Sequence, residues 1–357
     1  MSKTRTFVST LHKLTATLIM FTCLLGCAEN LSNSSPFNSS LHTSRYLYVA
    51  SGACYAGGVA VSTGSATISK YDTETGAFIE NLIDYNLRSQ GDMPAGLQQF
   101  DSSRFLVGIE NTSGRRIDIV DKNGEELTTY LTNSTALNGI LRGLAILSDS
   151  SILVPKSTAI EKFSASRARV TQGANPFVNA PAGSCATSTT VLVSTAVLPN
   201  GKIVFAHAAA TPNNKIAVVS ATGYATAGDC LSGQAAPTTT ALPTAVAYHA
   251  LAGKLIATFG STTSSSNFIY TYDVNLTTGA ISNPIAAYTD FSSINGPSSI
   301  ALDSITGDVY VSNGTSTFNT IEKFVLNSNG TMSKLGSLPF VQASIYSRCI
   351  SGMVVSD

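Results

Sequence analysis

Short apolar runs and tight polar turns recur along most of this chain. Five segments each combine an apolar run, a polar turn and a second apolar run: Gly96–Glu110, Gly143–Lys156, Thr195–His207, Ala245–Phe259 and Ser298–Asn313. A sixth pair is divided between the chain ends, with Gly352–Asp357 as its first strand and Tyr46–Ala50 as its second. Short runs with alternating polarity predict β-strands joined by turns.

A third apolar run follows each pair, and in every copy it begins with isoleucine: Ile68, Ile117, Ile160, Ile216, Ile269 and Ile321. In five copies a turn containing glycine comes next, and the alternating residues after it indicate a fourth strand. The second strands begin near residues 47, 105, 152, 203, 255 and 309, so the copies are 47 to 58 residues apart.

Four short antiparallel strands repeated at this spacing predict an all-β fold, a six-bladed β-propeller. One four-stranded sheet exposes two apolar faces, and packing the blades radially buries both of them. The divided sixth copy predicts that the ring closes by pairing of the C-terminal strand with the N-terminal strands. A seventh blade within Cys54–Ala66, a β-sandwich and two separate β domains are the alternatives.

The first thirty residues predict an export signal. A basic leader precedes the apolar stretch Leu14–Leu25, which is shorter than the ~20 residues needed to span a bilayer. The stretch ends in Leu24-Leu25-Gly26-Cys27, which resembles the lipobox of bacterial lipoproteins. This resemblance implies cleavage after residue 26 and acylation of Cys27. An ordinary signal peptide is the alternative.

The lipoprotein resemblance also implies a cellular location and a domain organisation. Ala28 follows the cysteine where an aspartate would favour the inner membrane, so the resemblance implies an outer-membrane anchor. Residues 27–44 are rich in Asn and Ser and have no hydrophobic period, which predicts a flexible tether. We therefore expect a signal peptide over 1–26, the lipidated tether over 27–44 and the propeller over 45–357.

Charge and composition narrow the classes of partner. The chain has 21 basic and 21 acidic residues, and only 12% of its residues are charged. This balance argues against a nucleic-acid-binding protein, and 43% hydrophobic residues argue against a disordered chain. Removal of residues 1–26 takes away three basic residues and no acidic one, so the predicted mature protein is mildly acidic.

Four cysteines are left for disulfides once Cys23 is removed with the signal and Cys27 is acylated, and an even number in an exported protein predicts disulfides. They allow three pairings. In the divided blade Cys349 precedes the first strand and Cys54 follows the second, so antiparallel pairing predicts a Cys54–Cys349 bridge. Cys185 and Cys230 fall in one blade and form the second predicted pair.

One repeat carries a family resemblance. Thr306-Gly307 followed by Val309-Tyr310-Val311-Ser312-Asn313 resembles the Tyr-Val-Thr-Asn repeat propellers and the related NHL and lactonase-like propellers. The resemblance implies the fold, while lactonase relatives also hold a metal in the channel through Glu, Asn and Asp side chains.

The ends of the second strands predict which residues surround one mouth of the channel. They are Ser51, Ile109 or Glu110, Lys156, His207, Phe259 and Asn313. Since this ring contains at most one carboxylate, we expect no metal and no cofactor. The candidate ligand-binding residues are Glu110, Asn111, Arg142, Lys156, His207, Asn313 and Arg348. The three cations among them suit an anionic ligand, and solvated or Glu110-paired cations are the alternative.

The sequence contains no Gly-x-Ser-x-Gly elbow, no P-loop and no His-x-x-x-His pair. The absence of these catalytic and nucleotide-binding motifs, together with the predicted anchor, favours a binding module over an enzyme. We expect a monomer on the bacterial envelope that binds a protein, a glycan or another envelope component. A lactonase-like hydrolase acting at the channel mouth is the alternative function.

Overall fold

The computed structural model describes residues 44–356 with internal gaps. For some residues within this range it describes the backbone alone. The gaps are 57–58, 89–90, 112–113, 126, 133–136, 138–140, 157–158, 173–174, 180–184, 186–190, 209–213, 224–228, 239–240, 261–266, 291–295, 316–317 and 345–348. Side chains are not described at 53–56, 59–65, 88, 127, 179, 191, 314–315 and 318. Within this part of the chain, no helix is long and apolar enough to cross a membrane.

Six antiparallel sheets form the blades of a β-propeller, as the sequence predicted. The first three blades contain the following strands in sheet order. Blade 1 has β25 (Ile350–Ser356), β1 (Tyr46–Ala56), β2 (Val59–Asp72) and β3 (Phe78–Asp84). Blade 2 has β4 (Met93–Gln99), β5 (Arg104–Asn111), β6 (Gly114–Asp121) and β7 (Leu127–Leu131). Blade 3 has β8 (Ala145–Ile146), β9 (Ile152–Lys156), β10 (Ala159–Phe163) and β11 (Arg169–Val170), and β12 (Val178–Asn179) also pairs with β10.

The other three blades are regular four-stranded sheets. Blade 4 has β13 (Val191–Val197), β14 (Ile203–Ala208), β15 (Lys215–Val219) and β16 (Cys230–Ala235); blade 5 has β17 (Leu242–His249), β18 (Lys254–Gly260), β19 (Phe268–Val274) and β20 (Ile281–Tyr288); blade 6 has β21 (Pro297–Leu302), β22 (Asp308–Thr315), β23 (Phe318–Leu326) and β24 (Met332–Lys334). A single helical turn, α1 (Tyr85–Arg88), follows blade 1.

The ring closes through blade 1. β1 pairs antiparallel with β25, from Tyr46 opposite Ser356 to Ser51 opposite Ile350. This confirms the predicted pairing of the two chain ends. The segment considered as a seventh blade is instead a long hairpin, because β1 and β2 continue to pair as far as Ala56 and Val59. For the same reason Cys54 lies within β1, although the sequence placed it just beyond the strand.

Hydroxyl groups join the first strands of neighbouring blades. In three junctions a side-chain hydroxyl donates to a main-chain carbonyl oxygen, and in the fourth a serine hydroxyl accepts from a main-chain N–H. The pairs are Ser351–Pro94 at 2.8 Å, Ser298–Ile350 at 2.7 Å, Thr195–Gly143 at 2.5 Å and Ser194–Val246 at 3.2 Å. Because these strands surround the axis, the bonds fix the innermost ring of the propeller.

The propeller has two different ends. At one end, which we call the turn face, lie the turns between first and second strands and between third and fourth strands. Asp303 is typical of it, since its Oδ1 accepts the N–H groups of Ile305 and Thr306 at 2.8 Å each. The opposite end, the loop face, carries the connections between second and third strands and those between blades. The candidate ligand-binding residues that the structure describes lie towards the loop face.

Candidate binding site at the loop face

The first strands of the six blades enclose a channel of about 330 Å³. Its wall is built mainly from small side chains because the blades approach closely. A Cβ on Gly352 would lie 2.4 Å from the backbone nitrogen of Leu97 in the next blade. Of the described residues that line the channel, Arg142 is the only charged one.

The backbone on both sides of Arg142 is held in place. On one side, Leu141 donates its N–H to Oε1 of Glu110 at 3.0 Å. On the other side, the carbonyl oxygen of Gly143 accepts from the hydroxyl and the N–H of Thr195. Arg142 itself is half-buried just before β8, where the sequence predicted it. The structure therefore places one charged residue, on a fixed backbone, at the channel wall.

Glu110 belongs to the support of this segment. It is buried, its Oε1 accepts the N–H of Leu141, and Nη2 of Arg115 lies 3.9 Å from its Oε2. Removing a carboxylate that accepts a buried main-chain N–H leaves that donor without its partner, which costs about 1–3 kcal/mol. Glu110 therefore has a structural role, while its ligand-binding role stays a prediction.

A second ionic cluster lies in blade 2. Arg116 bridges two buried carboxylates: its Nη1 is 2.9 Å from Asp92 and its Nε is 3.0 Å from Asp118. Asn111 donates to Asp92 at 2.6 Å, so this predicted site residue is held by the same cluster. The hydrogen bond with Asp92 raises the pKa of Arg116. Burial raises the pKa of Asp118, although Arg116 opposes that shift.

In blade 3 one buried carboxylate receives two cations. Nζ of Lys156 lies 2.6 Å from Glu161, and Arg169 makes a bidentate contact at 2.8 Å from both of its donor nitrogens. The hydrogen bond with Glu161 raises the pKa of Arg169. Two positive charges on one negative charge give this cluster of three side chains a net positive charge.

The remaining predicted residues are more dispersed. His207 is fully buried in β14, and Asn313 is buried on β22, opposite Pro297 of β21. Together with Glu110 and Asn111, they belong to three different blades. Arg348 and Cys27 lie outside the described residues. Across the described side chains, no three His, Cys, Asp or Glu residues form a group that could hold a metal ion.

One of the two predicted disulfides is confirmed. Cys185 and Cys230 are bonded, with their Cα atoms 5.7 Å apart. Cys349 is also disulfide-bonded. The side chain of its predicted partner, Cys54, lies outside those that the structure describes, so that pairing stays a prediction.

Sequence reasoning missed a repeated buried acid on the third strands. Asp118, Glu161 and Glu322 each follow directly after one of the repeated isoleucines, and each is paired with a cation of its own blade. In blade 6 the partner of Glu322 is Lys334, at 2.9 Å. The repeated Ile-Asp or Ile-Glu dipeptide is the signal that could have found them.

Comparison with known proteins shows the fold. A nidogen/laminin complex contains a chain that matches with a TM-score of 0.57 and 11% identity, covering 88% of this chain and 98% of that one. TolB from Acinetobacter baumannii has a TM-score of 0.52 and 13% identity, over 88% of this chain and 66% of TolB. A protein from Lactobacillus plantarum has a TM-score of 0.51 and 15% identity, over 84% and 82%. No protein-family model and no curated protein sequence matches the chain.

Proposed function

We propose that this protein is an exported lipoprotein, acylated at Cys27 and anchored to the outer membrane, whose loop face binds a protein partner in the cell envelope. The observation that carries the binding role is the placement of Arg142. Arg142 is the one charged residue among those described on the channel wall, and the hydrogen bonds of Leu141 and Gly143 hold the backbone on both sides of it. A cation carried on a fixed backbone favours a carboxylate of the partner.

The surrounding charges support the same assignment. Glu161 is paired with both Lys156 and Arg169, so these three side chains of blade 3 together carry a net positive charge. Glu110 accepts from the main chain of Leu141 and lies beside Arg115. The carboxylates of this region are therefore bound to cations and main-chain N–H groups of the protein, which suits recognition of an anionic group.

The fold is compatible with a protein partner. Loops from six blades meet at one end of a propeller, so a specific surface can be built there without altering the sheets. Among the similar structures, the nidogen/laminin complex is itself an assembly of two proteins. For this chain, we expect the loop face to be the surface that a partner covers.

The binding role is tested by crosslinking in intact cells followed by capture of the protein. Arg142→Gln should reduce the captured partner several-fold, because it removes the charge and keeps a polar side chain. Lys254→Gln is the matched control, since Lys254 pairs with Asp273 close to the turn face. We expect it to capture as much partner as the unaltered protein, with equal unfolding midpoints for all three proteins.

Three results would contradict this function. Equal capture by Arg142→Gln and the unaltered protein would remove Arg142 from the interface. Lactone hydrolysis that depends on a divalent metal would favour the hydrolase predicted as the alternative. A captured partner that glycosidase digestion removes would identify a glycan in place of a protein.

The anchor is tested separately by metabolic labelling with a fatty-acid probe. The unaltered protein should take up the label, and Cys27→Ala should not. Label retained by Cys27→Ala would contradict acylation at this residue, whatever the outcome of the binding experiment.

A further inference from the structure

We infer that the turn face of blades 5, 6 and 1 rests on the lipid bilayer, with Leu251 and Ile305 inserted into its interface. This inference deepens the proposed function and rests on the anchor at Cys27. It assigns a second membrane contact to the propeller itself and gives the molecule one orientation.

Two apolar side chains protrude from this part of the turn face. Leu251 is 63% exposed and Ile305 is 65% exposed, and each lies in the turn between the first and second strands of its blade. The turns are neighbours, because a Cβ on Gly307 would lie 3.5 Å from Cδ1 of Leu251. Burying a large aliphatic side chain is worth about 1.5–3 kcal/mol, so a pair of them is enough to bias orientation.

Two acidic groups close to these side chains, Asp303 and Asp308, are paired. Asp303 forms an ion pair with Arg45 and accepts two main-chain N–H groups from its own turn. Asp308 pairs with Lys323 at 3.0 Å. Since an unpaired charge is costly to bring towards hydrocarbon, these pairs make the patch better suited to a lipid interface.

The described chain begins at this same place. Ser44 is exposed, and the Arg45 carbonyl oxygen accepts from the hydroxyl of Thr73 at 2.9 Å. Because Arg45 also pairs with Asp303, the chain enters blade 1 beside the turn that carries Ile305. The predicted tether therefore joins the propeller at the turn face.

The length of the predicted tether favours one orientation of the propeller on the bilayer. Cys27 and Ser44 are 17 positions apart. A flexible chain of that length has a root-mean-square span of roughly 23 Å. One strand such as β17, with eight residues, is about 25 Å long. With the turn face on the bilayer the tether need not cross the propeller, whereas contact through the loop face would require it to span the full length of a strand as well.

For function, this orientation fixes which face of the propeller is available to a partner. With the turn face on the lipid, the channel mouth and Arg142 point away from the membrane. A partner can then approach the loop face without displacing the anchor.

The absence of tryptophan from the chain allows a direct test. Three variants of the full-length lipoprotein, Leu251→Trp, Ile305→Trp and Leu242→Trp, are each placed in phosphatidylcholine vesicles that contain brominated lipid. Leu242 is the matched control, since it is 41% exposed at the opposite end of β17 in the same blade as Leu251. Bromine quenches only tryptophan that enters the bilayer, so depth is read from fluorescence.

We expect Leu251→Trp and Ile305→Trp to be quenched several-fold more than Leu242→Trp and to show blue-shifted emission. Equal quenching of all three, or stronger quenching of Leu242→Trp, would overturn the orientation. Vesicle flotation separates the two proposals. A protein that floats without quenching of Leu251→Trp contradicts only the orientation, and a protein that fails to float contradicts the anchor and this inference with it.

Discussion

The guanidinium of Arg167 lies over the ring of Tyr130, with its central carbon 4.8 Å from the ring centroid. Arg167 is in the turn between the third and fourth strands of blade 3, and Tyr130 is on the fourth strand of blade 2. The corresponding turn in blade 2 has Gly124, with φ of 73°, and Arg167 adopts φ of 68° in its place. A cation–π contact thus accompanies a left-handed backbone conformation that a glycine would adopt without strain.

We expect substitutions of Arg167 to separate these two effects. Arg167→Ala keeps the strained backbone and loses the contact, so it should lower the free energy of unfolding by about 0.5–1 kcal/mol. Arg167→Gly loses the contact but relieves strain of about 1–2 kcal/mol, so it should be more stable than Arg167→Ala. Denaturant unfolding measures both, with Tyr130→Leu as the partner in a double-mutant cycle. Greater stability for Arg167→Ala than for Arg167→Gly would contradict this account.

Gly124 also fixes the contact between blades 1 and 2. A Cβ there would lie 2.2 Å from the carbonyl oxygen of Leu82, whereas at Gly201 the nearest atom is 3.4 Å away. Both glycines have positive φ, so alanine at either position costs about 1–2 kcal/mol in backbone strain. Gly124→Ala should cost about 1–3 kcal/mol more than Gly201→Ala, because a blade must shift. Chemical denaturation of the two variants makes the comparison, and equal losses would show that the blades tolerate the added methyl group.

Two aspartates should give opposite pH dependences. Burial raises the pKa of Asp118 above its ordinary value of 3.8, and hydrogen bonds from Thr75 lower that of Asp72. Asp118 therefore opposes folding once it ionises, and its cost grows as pH rises above about 4. Asp72 stabilises the fold above about pH 4, and that contribution is lost as the solution becomes more acidic.

The measurement is the free energy of unfolding against pH for the unaltered protein, Asp118→Asn and Asp72→Asn. As pH rises from acid, the unaltered protein should lose stability relative to Asp118→Asn and gain stability relative to Asp72→Asn. Trends of the same sign for both variants would refute the assigned causes.

The Cys185–Cys230 disulfide closes a sequence separation of 45 residues within blade 4. Removing a disulfide from a domain costs about 2–5 kcal/mol, chiefly through the unfolded chain. Cys185→Ala combined with Cys230→Ala should therefore lower the unfolding midpoint, and the single variant Cys230→Ala should lower it to a similar extent. The same midpoint in all three proteins would show that the bond adds nothing to the stability of the ring.

The repeat made most of the fold predictable. The third-strand isoleucines are all fully buried, and the turn glycines Gly76 and Gly124 have the positive φ that their positions in the pattern predicted. Blade 3 departs from the repeat in two ways. Arg167 takes the place of the glycine in the turn between the third and fourth strands, and the first strand, β8, has only two residues. A short strand gives too little alternation to be recognised without its neighbours.

The candidate site was only partly predictable. The ends of the second strands correctly marked the loop face, since strand direction fixes which ends meet. The partners of Glu110 and Asn111 could not be predicted, because Leu141 and Asp92 come from other segments whose placement depends on blade packing. Arg142 was identified as a candidate, but its position on the channel wall follows from tertiary structure alone.

The central claim is that the loop face binds the partner while the turn face meets the membrane. The most direct measurement places a photoreactive phenylalanine analogue at Leu242 or at Leu251, at opposite ends of blade 5, and irradiates intact cells. We predict a protein crosslink from Leu242 that Arg142→Gln weakens, and lipid adducts without that protein from Leu251. Capture of the partner from Leu251 and not from Leu242 would contradict the account.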